Sequence, residues 1–307
     1  MKIIGFPNFA RYESSFALLS DQTDDNKLRF ITIDEERLIR KKHTYDFPLL
    51  SMEYCLSALN IKSLDEIDLL VTDYARRPSF YNDGPGYSKM EHDYLKGIID
   101  FSKDKTIVVN HHDAHASGVF YPSGFNESAI LIVDGMGSDL ETQSIFYADG
   151  SSIKLLDKGN CWGPGSLYAE VTAEILNFKG FNGVDLAGKT MGLAPLGRNV
   201  KGDDILDIRA KYNGLHSDYS YFISRFPKPK IKQKNLKFCE NSEDVTNEYF
   251  SKVAFELQKE TETAMISFAN HAYKLTKSKN LCISGGVGLN SVASGKIIKN
   301  TPFENLY

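Results

Sequence analysis

Apolar and polar residues alternate in short runs through the first third of the chain, a pattern that predicts β-strands and one helix. In order, the predicted elements are the strands Lys2–Gly5, Ser15–Leu19 and Arg29–Ile33, the helix Leu49–Leu59 and the strand Asp68–Thr72. The same order returns later in the strands Ala129–Asp134, Gln143–Tyr147 and Ser152–Leu156, the helix Ser166–Phe178 and the strand Leu281–Ser284. Two copies of one strand-strand-strand-helix-strand plan predict two related α/β lobes, which we expect at residues 1–125 and 126–307.

Three further stretches fall outside this repeated plan. Thr246–Leu275 is predicted to form one long helix, because its apolar residues recur at helical spacing. Asp73–Gly84 is rich in turn-forming residues and is predicted to be a surface excursion. Asn199–Asn241 is the least regular region. Its lysines between Lys228 and Lys237 are interrupted by proline and predict an exposed loop, with contact to a substrate or partner as the alternative.

Composition and charge restrict the class of protein. Hydrophobic residues make up 42% and charged residues 25% of the 307 residues, as is usual for soluble globular proteins. The net charge of −4 argues against a nucleic-acid binder, whose domains are basic. No apolar run is long enough to span a membrane, and no secretory signal opens the chain. The four cysteines are widely scattered, so we expect buried thiols in a reducing cytoplasm.

The segment Asn110–Ala116, NHHDAHA, holds three of the seven histidines. His111 and His115 are four residues apart, so in a helix both imidazoles lie on one face, one turn apart. Asp134 ends the apolar run ILIVD, where a strand is predicted to end. Two imidazoles and a carboxylate are three of the ligands that an open divalent-metal site needs. The alternative interpretation is a polar helix face without a metal.

Two glycine-rich turns follow predicted strands. One is Asp134–Gly137, DGMG, and the other is Ser284–Asn290, SGGVGLN, which also opens a predicted helix. Glycine lets the backbone approach a ligand closely, and N–H groups at the start of a helix suit a phosphate or nucleotide. Such turns also occur simply because compact α/β proteins need them, and the spacing matches neither a Walker loop nor a Rossmann fingerprint.

Two further segments contain basic residues that are candidates for ligand contact. Gly188–Gly197, GKTMGLAPLG, surrounds Lys189 with glycine and proline and is predicted to be an ordered but irregular loop. Whether this segment contacts a substrate or only crosses between domains stays open. The run Glu35–His43, EERLIRKKH, is typical of a solvated surface, although its basic side chains could bind phosphate beside an anionic ligand.

Taken together, these segments resemble the first, catalytic domain of the NodU/TobZ-type O-carbamoyltransferases, which are related to TsaD and HypF. The resemblance runs nearly end to end through EERLIRKKHTYDFP, NHHDAH, VDGMG, GSLYAEVT, GKTMGLAPLG and SGGVGLNS to TPFENLY. It implies a TsaD-like α/β fold, and the duplicated plan is similar to the two-lobed actin, hexokinase and sugar-kinase (ASKHA) superfamily.

The resemblance also implies roles for particular residues. His111, His115 and Asp134 correspond to ligands of an iron-type divalent metal, most simply Fe(II), and Lys42 to a contact with the carbamoyl-adenylate phosphate. The residues expected to line the nucleotide site are Gly135, Gly137, Lys189, Gly285, Gly286, Val287 and Asn290.

Three departures from the family pattern bear on the chemistry. Tyr12 replaces a histidine that could act as general base, and a tyrosine of pKa about 10 is a poorer base near neutrality. His112, Glu13 or a substrate phosphate are the other candidate bases. Ser138 stands at a usually acidic position. The chain ends at Tyr307, before the segment that brings a last aspartate ligand and before the YrdC-like domain that makes carbamoyl-adenylate.

The expected activity is therefore transfer of a carbamoyl group, made available from carbamoyl phosphate and ATP as carbamoyl-adenylate, to a hydroxyl of a small molecule or sugar. Two sources of the adenylating step stay open: the chain is a fragment of a longer protein, or a YrdC-like domain acts in trans as its partner. Two alternatives stay open: an ATP-dependent kinase or ATPase of the same superfamily, and a non-catalytic assembly or regulatory subunit. Metal-binding histidines count against the kinase, because magnesium prefers oxygen ligands.

Overall fold

The computed structural model describes residues 1–7, 14–22, 27–42, 44, 47–74, 105–160, 163–173, 186–206, 208, 210–217 and 248–307. The chain divides into two compact units. Unit 1 is Met1–Ala114 with Gly137–Asp139, and unit 2 is His115–Met136 with Leu140–Tyr307. The predicted lobe boundary after residue 125 stays a prediction. Tyr12, Glu13, His43, Cys161, Cys239 and the Lys228–Lys237 run lie outside the described residues.

The elements of unit 1 are β1 (Lys2–Gly5), β2 (Ser15–Ser20), β3 (Arg29–Asp34), α1 (Glu35–Ile39), α2 (Leu49–Ala58), β4 (Leu69–Tyr74) and β5 (Thr106–Asn110). The strands form a five-stranded mixed sheet with the order β3-β2-β1-β4-β5. The antiparallel pairs are β1–β2 and β2–β3, whereas β4 pairs parallel with both β1 and β5. Helix α3 (His111–Phe120) follows β5 directly and is continuous across the division between the units.

The strands of unit 2 are β6 (Glu127–Val133), β7 (Glu141–Asp149), β8 (Ser152–Asn160), β11 (Asn280–Ser284) and β12 (Asn305–Leu306), with the separate hairpin β9 (Tyr212–Asn213) and β10 (His216–Ser217). Unit 2 repeats the plan of unit 1 in a sheet with the order β12-β11-β6-β7-β8, again with three antiparallel strands beside two parallel ones. Its helices are α4 (Pro164–Val171), α5 (Ala187–Gly197), α6 (Glu248–Thr276) and α7 (Ser291–Asn300). The predicted duplicated α/β fold is confirmed.

Burial explains why the strands and the long helix form where they do. Strand β2 alternates partly buried and buried residues, so one face packs on the core of unit 1. Strand β6 lies in the middle of its sheet and is buried on both faces from Ser128 to Val133. Helix α6 places Ala264, Phe268 and Ala272 in the core of unit 2, which confirms the predicted apolar stripe.

Three sequence predictions were wrong in local structure. Gly188–Gly197 lies within helix α5 and is no irregular loop, because Leu193 and Ala194 pack in one apolar cluster with residues of α6, and tertiary packing overrides weak helix propensity. Asp73 and Tyr74, the first two residues of the predicted surface excursion, belong to β4, because they pair in register with residues of β5, whereas residues 75–84 of that segment lie outside the described residues. The charged run beginning at Glu35 is only partly solvated.

Glu35 itself is buried and caps helix α2. Its two carboxylate oxygens accept hydrogen bonds from the backbone N–H groups of Leu50 and Ser51, at 3.1 and 2.8 Å. These N–H groups lie in the first turn of the helix and have no partner within it.

Among the described residues, no helix is both long and apolar enough to cross a membrane.

We expect Cys55 to be unreactive in the folded protein. It is fully buried, and burial raises the pKa of its thiol to about 11, so about one molecule in a thousand carries the thiolate at pH 8. Because the pKa of Cys55 in the folded protein lies above its value in the unfolded chain, the contribution of the neutral thiol to the free energy of unfolding is lost as the pH rises toward 11.

Thiol titration with a chromogenic disulfide at pH 8 tests this expectation. Cys55→Ala should leave the number of reactive thiols in the native protein unchanged, while lowering the number in guanidinium by one. A lower native count in the variant would contradict the burial of Cys55.

Candidate metal and nucleotide site

Helix α3 begins immediately after strand β5, and polar groups satisfy its first N–H groups. The Ser138 hydroxyl accepts from the His111 N–H at 2.8 Å, and the Asn110 side-chain oxygen accepts from the His112 N–H at 2.8 Å. Further along, Ala116, Val119 and Phe120 pack in one apolar cluster with residues of β6. The apolar face of the helix therefore fixes its rotation, which in turn fixes the direction of its histidines.

The structure brings together the three predicted metal ligands. Atoms of His111, His115 and Asp134 that can ligate a metal all lie within 4.8 Å of one another. The Nε2 atom of His115 is 3.8 Å from Oδ2 of Asp134. Two ligands that each lie about 2.1 Å from a shared ion are separated by at most about 4.2 Å, so this pair fits one cation. Two imidazoles and a carboxylate suit iron, zinc or manganese.

The Nδ1 atom of each histidine faces a group of the protein. For His111 it lies 2.5 Å from Oδ2 of Asp73, at the end of β4, and for His115 it lies 3.0 Å from the Ser284 hydroxyl, at the end of β11. Asp73 is not predicted as a site residue from the sequence, and Ser284 is predicted only as part of a glycine turn. A carboxylate or hydroxyl behind a metal-ligating imidazole is a common way to orient the ring.

Asp134 also contacts the glycine turn that follows β11. Its Oδ1 accepts a hydrogen bond from the Gly286 N–H at 2.8 Å. Gly285 has a φ of +93°, and a Cβ there would collide with the carbonyl oxygen of Val133. Glycine is therefore required at position 285 for the turn itself, whereas Gly286 is exposed and open to a ligand.

The start of helix α4 completes this part of unit 2. A Cβ on Gly165 would lie 2.6 Å from the carbonyl oxygen of Asp134 and 2.9 Å from the Val287 side chain. The Ser166 hydroxyl donates to the carbonyl oxygen of Gly135 at 3.2 Å. The segments after β6 and β11 and the start of α4 therefore meet, an arrangement that suits phosphate or nucleotide binding. Gly165 is not predicted as a site residue from the sequence, although the GPG run at Gly163–Gly165 is a visible signal of it.

Asn290 has a structural role that its predicted contact with nucleotide did not anticipate. Its side chain exchanges two hydrogen bonds with the Gln258 amide, at 3.0 and 2.9 Å, and accepts from the Ala293 N–H at the start of α7. Both amides are buried. The pair ties the glycine turn to helix α6. A contact between Asn290 or the buried Val287 and a nucleotide stays a prediction.

The positions of the remaining predicted residues do not test the roles predicted for them. Lys42 lies exposed after α1, and Lys189 lies exposed in the first turn of α5. His112 is only 1% exposed, which favours a packing role, because a general base must come within about 3 Å of the proton it takes. The roles predicted for these residues, and for Gly137, stay predictions.

Comparison with known proteins identifies the family. The family described as Carbamoyltransferase N-terminus matches residues 87–307. The chain belongs to this family. The matched stretch contains the three candidate metal ligands and the glycine turn at Ser284–Gly286, so the resemblance based on motifs is confirmed.

Two curated relatives of this carbamoyltransferase-family chain are longer than it is. An uncharacterized protein of Synechocystis sp. is 28% identical over 90% of the chain, which spans 50% of that protein. The nodulation protein NolNO of Sinorhizobium fredii is 26% identical over 90% of the chain, with 41% of NolNO covered. The chain thus spans about half or less of the length of the curated relatives it matches.

Solved structures agree on the fold. HypF from T. kodakarensis superposes on 99% of the chain with a TM-score of 0.50 at 12% identity, covering 44% of HypF. Full-length HypF in its phosphate- and nucleotide-bound form gives a TM-score of 0.53 at 12% identity, with 99% and 52% of the two chains covered. At this identity the likeness shows the fold alone.

Proposed function

We propose that the chain carries the transfer site of an O-carbamoyltransferase, which moves a carbamoyl group from carbamoyl-adenylate to a hydroxyl of a small molecule or sugar. The observation that carries the proposal is the position of Asp134. One of its carboxylate oxygens lies beside His115, and the other accepts from the N–H of Gly286 in the glycine turn. A metal site and a phosphate-binding turn would then share one residue, which would place the cation and the phosphate in one site.

The proposed reaction forms one bond and breaks one. The acceptor oxygen bonds to the carbamoyl carbon, the bond from that carbon to the adenylate phosphate oxygen breaks, and AMP leaves with the bonding electrons. The acceptor proton passes to a base, for which Tyr12, Glu13 and His112 are the candidates within this chain, and the burial of His112 counts against it. ATP, carbamoyl phosphate and water yield carbamoyl-adenylate, pyrophosphate and phosphate in a step that we assign to a YrdC-like domain.

Residues of the chain would hold the metal and the reactants. His111, His115 and Asp134 would hold a divalent cation, Fe(II) in our proposal, which supplies Lewis acidity toward the carbamoyl or phosphate oxygens. The exposed backbone at Gly286 would let the phosphate approach, and Lys42 would contribute positive charge near the departing AMP. The cytoplasm, where unpaired thiols such as the buried Cys55 and Cys282 persist, is the compartment we propose.

Reconstitution with a partner domain tests the proposal. The chain, loaded with Fe(II), is mixed with a YrdC-like domain from a longer relative, ATP, carbamoyl phosphate and a panel of hydroxyl acceptors. We expect AMP formation and a carbamoylated acceptor only when both proteins are present, and little of either from the chain alone. Chromatography of nucleotides and mass spectrometry of acceptors measure the two products.

The same experiment separates the alternatives. The partner domain alone is the control for AMP that forms without transfer. ADP in place of AMP would favour a kinase or ATPase. Acceptors that remain unmodified, even with a longer version of the chain and restored metal, would contradict the proposal and favour a non-catalytic subunit.

A further inference from the structure

We propose that Asp73 is a positioning residue that holds His111 in the tautomer with its proton on Nδ1, so that Nε2 is the atom that ligates the metal. The proposal rests on the metal site of the proposed function and adds to it a residue from a different strand. Asp73 lies at the end of β4, beside β5, the strand that leads into helix α3.

The contact that supports this role is short and partly buried. Oδ2 of Asp73 lies 2.5 Å from Nδ1 of His111, and the side chains are 14% and 22% exposed. An ionised carboxylate only accepts hydrogen bonds, so the proton of the neutral imidazole must sit on Nδ1 to satisfy this contact. The lone pair is then on Nε2, and the negative charge behind the ring strengthens it as a ligand.

The second histidine provides a comparison within the same site. His115 has the Ser284 hydroxyl 3.0 Å from its Nδ1, and a hydroxyl can either donate or accept. Ser284 therefore orients the ring without choosing its tautomer. Of the two histidines, only His111 has its protonation pattern dictated by the group behind it.

Replacement of Asp73 by asparagine separates shape from charge. The introduced amide would fill the same space as the carboxylate, yet its NH2 group can donate to Nδ1 and its carbonyl oxygen can accept from Nδ1–H, so the preference for one tautomer is lost. We expect Asp73→Asn to lower the affinity for Fe(II) or Co(II) by about tenfold to a hundredfold, as loss of a partner behind a ligand commonly does. Competition with a chelating dye measures the affinity.

A second readout does not depend on metal or on activity. Long-range proton–nitrogen NMR spectra of the metal-free protein should report the Nδ1–H tautomer for His111 in the wild type and in Asp73→Glu, and a loss of that preference in Asp73→Asn. The His111 signals are assigned with a His111→Gln variant. Asp113→Asn removes the same charge from an exposed residue of α3 and should change neither measurement.

Each outcome decides a different point. If the wild type binds metal and Asp73→Asn binds it equally well with an unchanged tautomer, the role of Asp73 is overturned while the proposed function stands. If Asp113→Asn weakens binding as much as Asp73→Asn, the effect is one of net charge and the role is again overturned. A wild type that binds no metal overturns both proposals.

Discussion

His115→Ala should abolish stoichiometric metal binding by the reconstituted protein. His115 is one of three candidate ligands whose ligating atoms lie within 4.8 Å of one another, and its Nε2 is 3.8 Å from the Asp134 carboxylate. Changes behind a ligand already cost about tenfold to a hundredfold in affinity, so loss of the ligand itself should cost at least a hundredfold. Metal content after loading with Fe(II), Mn(II) or Zn(II) and desalting, measured by elemental analysis, tests this expectation.

The matched control is His271→Ala. His271 is also partly exposed and also contacts a carboxylate, since its Nε2 lies 2.8 Å from Oδ2 of Asp157, but it lies on helix α6 away from the candidate ligands. His271→Ala should leave the metal content of the protein unchanged. Equal metal content in wild type and His115→Ala would show that these side chains do not form a metal site.

Gly286→Val should weaken binding of adenine nucleotides by at least about tenfold. The position is exposed, and a Cβ there would lie 3.0 Å from Oδ1 of Asp134, so a branched side chain would both fill the approach to the backbone and disturb the bond from Gly286 to Asp134. Isothermal titration calorimetry with ATP and AMP measures the change.

Gly295→Val is the control, because Gly295 is exposed on helix α7 and a Cβ there has no heavy atom within 4 Å. Valine at this position should leave nucleotide binding unchanged and slightly favour the helix over glycine. If Gly286→Val and the wild type bind nucleotide alike, the turn serves only the fold.

Most of the sheet architecture could be predicted from sequence, because burial of alternating or continuous apolar runs leaves a strong local signal. Strands β1, β2, β3 and β6 lie within one or two residues of their predicted bounds. Helix α5 could not be predicted in the same way. Its glycines and proline are poor helix formers, and its stability comes from packing in one cluster with α6 residues more than 50 positions away in the chain.

The candidate site could be predicted only where its residues share a helix or end a strand. His111 and His115 are four residues apart, so local geometry alone relates them, and Asp134 ends an apolar strand. Asp73 and Ser284 are 38 and 169 residues from the histidines they contact, and only strand pairing brings them there. Helical periodicity carries no information about contacts of that kind.

The two oxygens of Asp134 have a thermodynamic consequence. Because one oxygen faces His115 and the other holds the N–H of Gly286, a cation bound at the proposed metal site would also change the free energy of the turn. Occupancy of the proposed metal site or of the proposed nucleotide site would then alter the affinity at the other by the same factor, since coupling free energies are reciprocal. A single carboxylate would thereby link the two proposed binding equilibria.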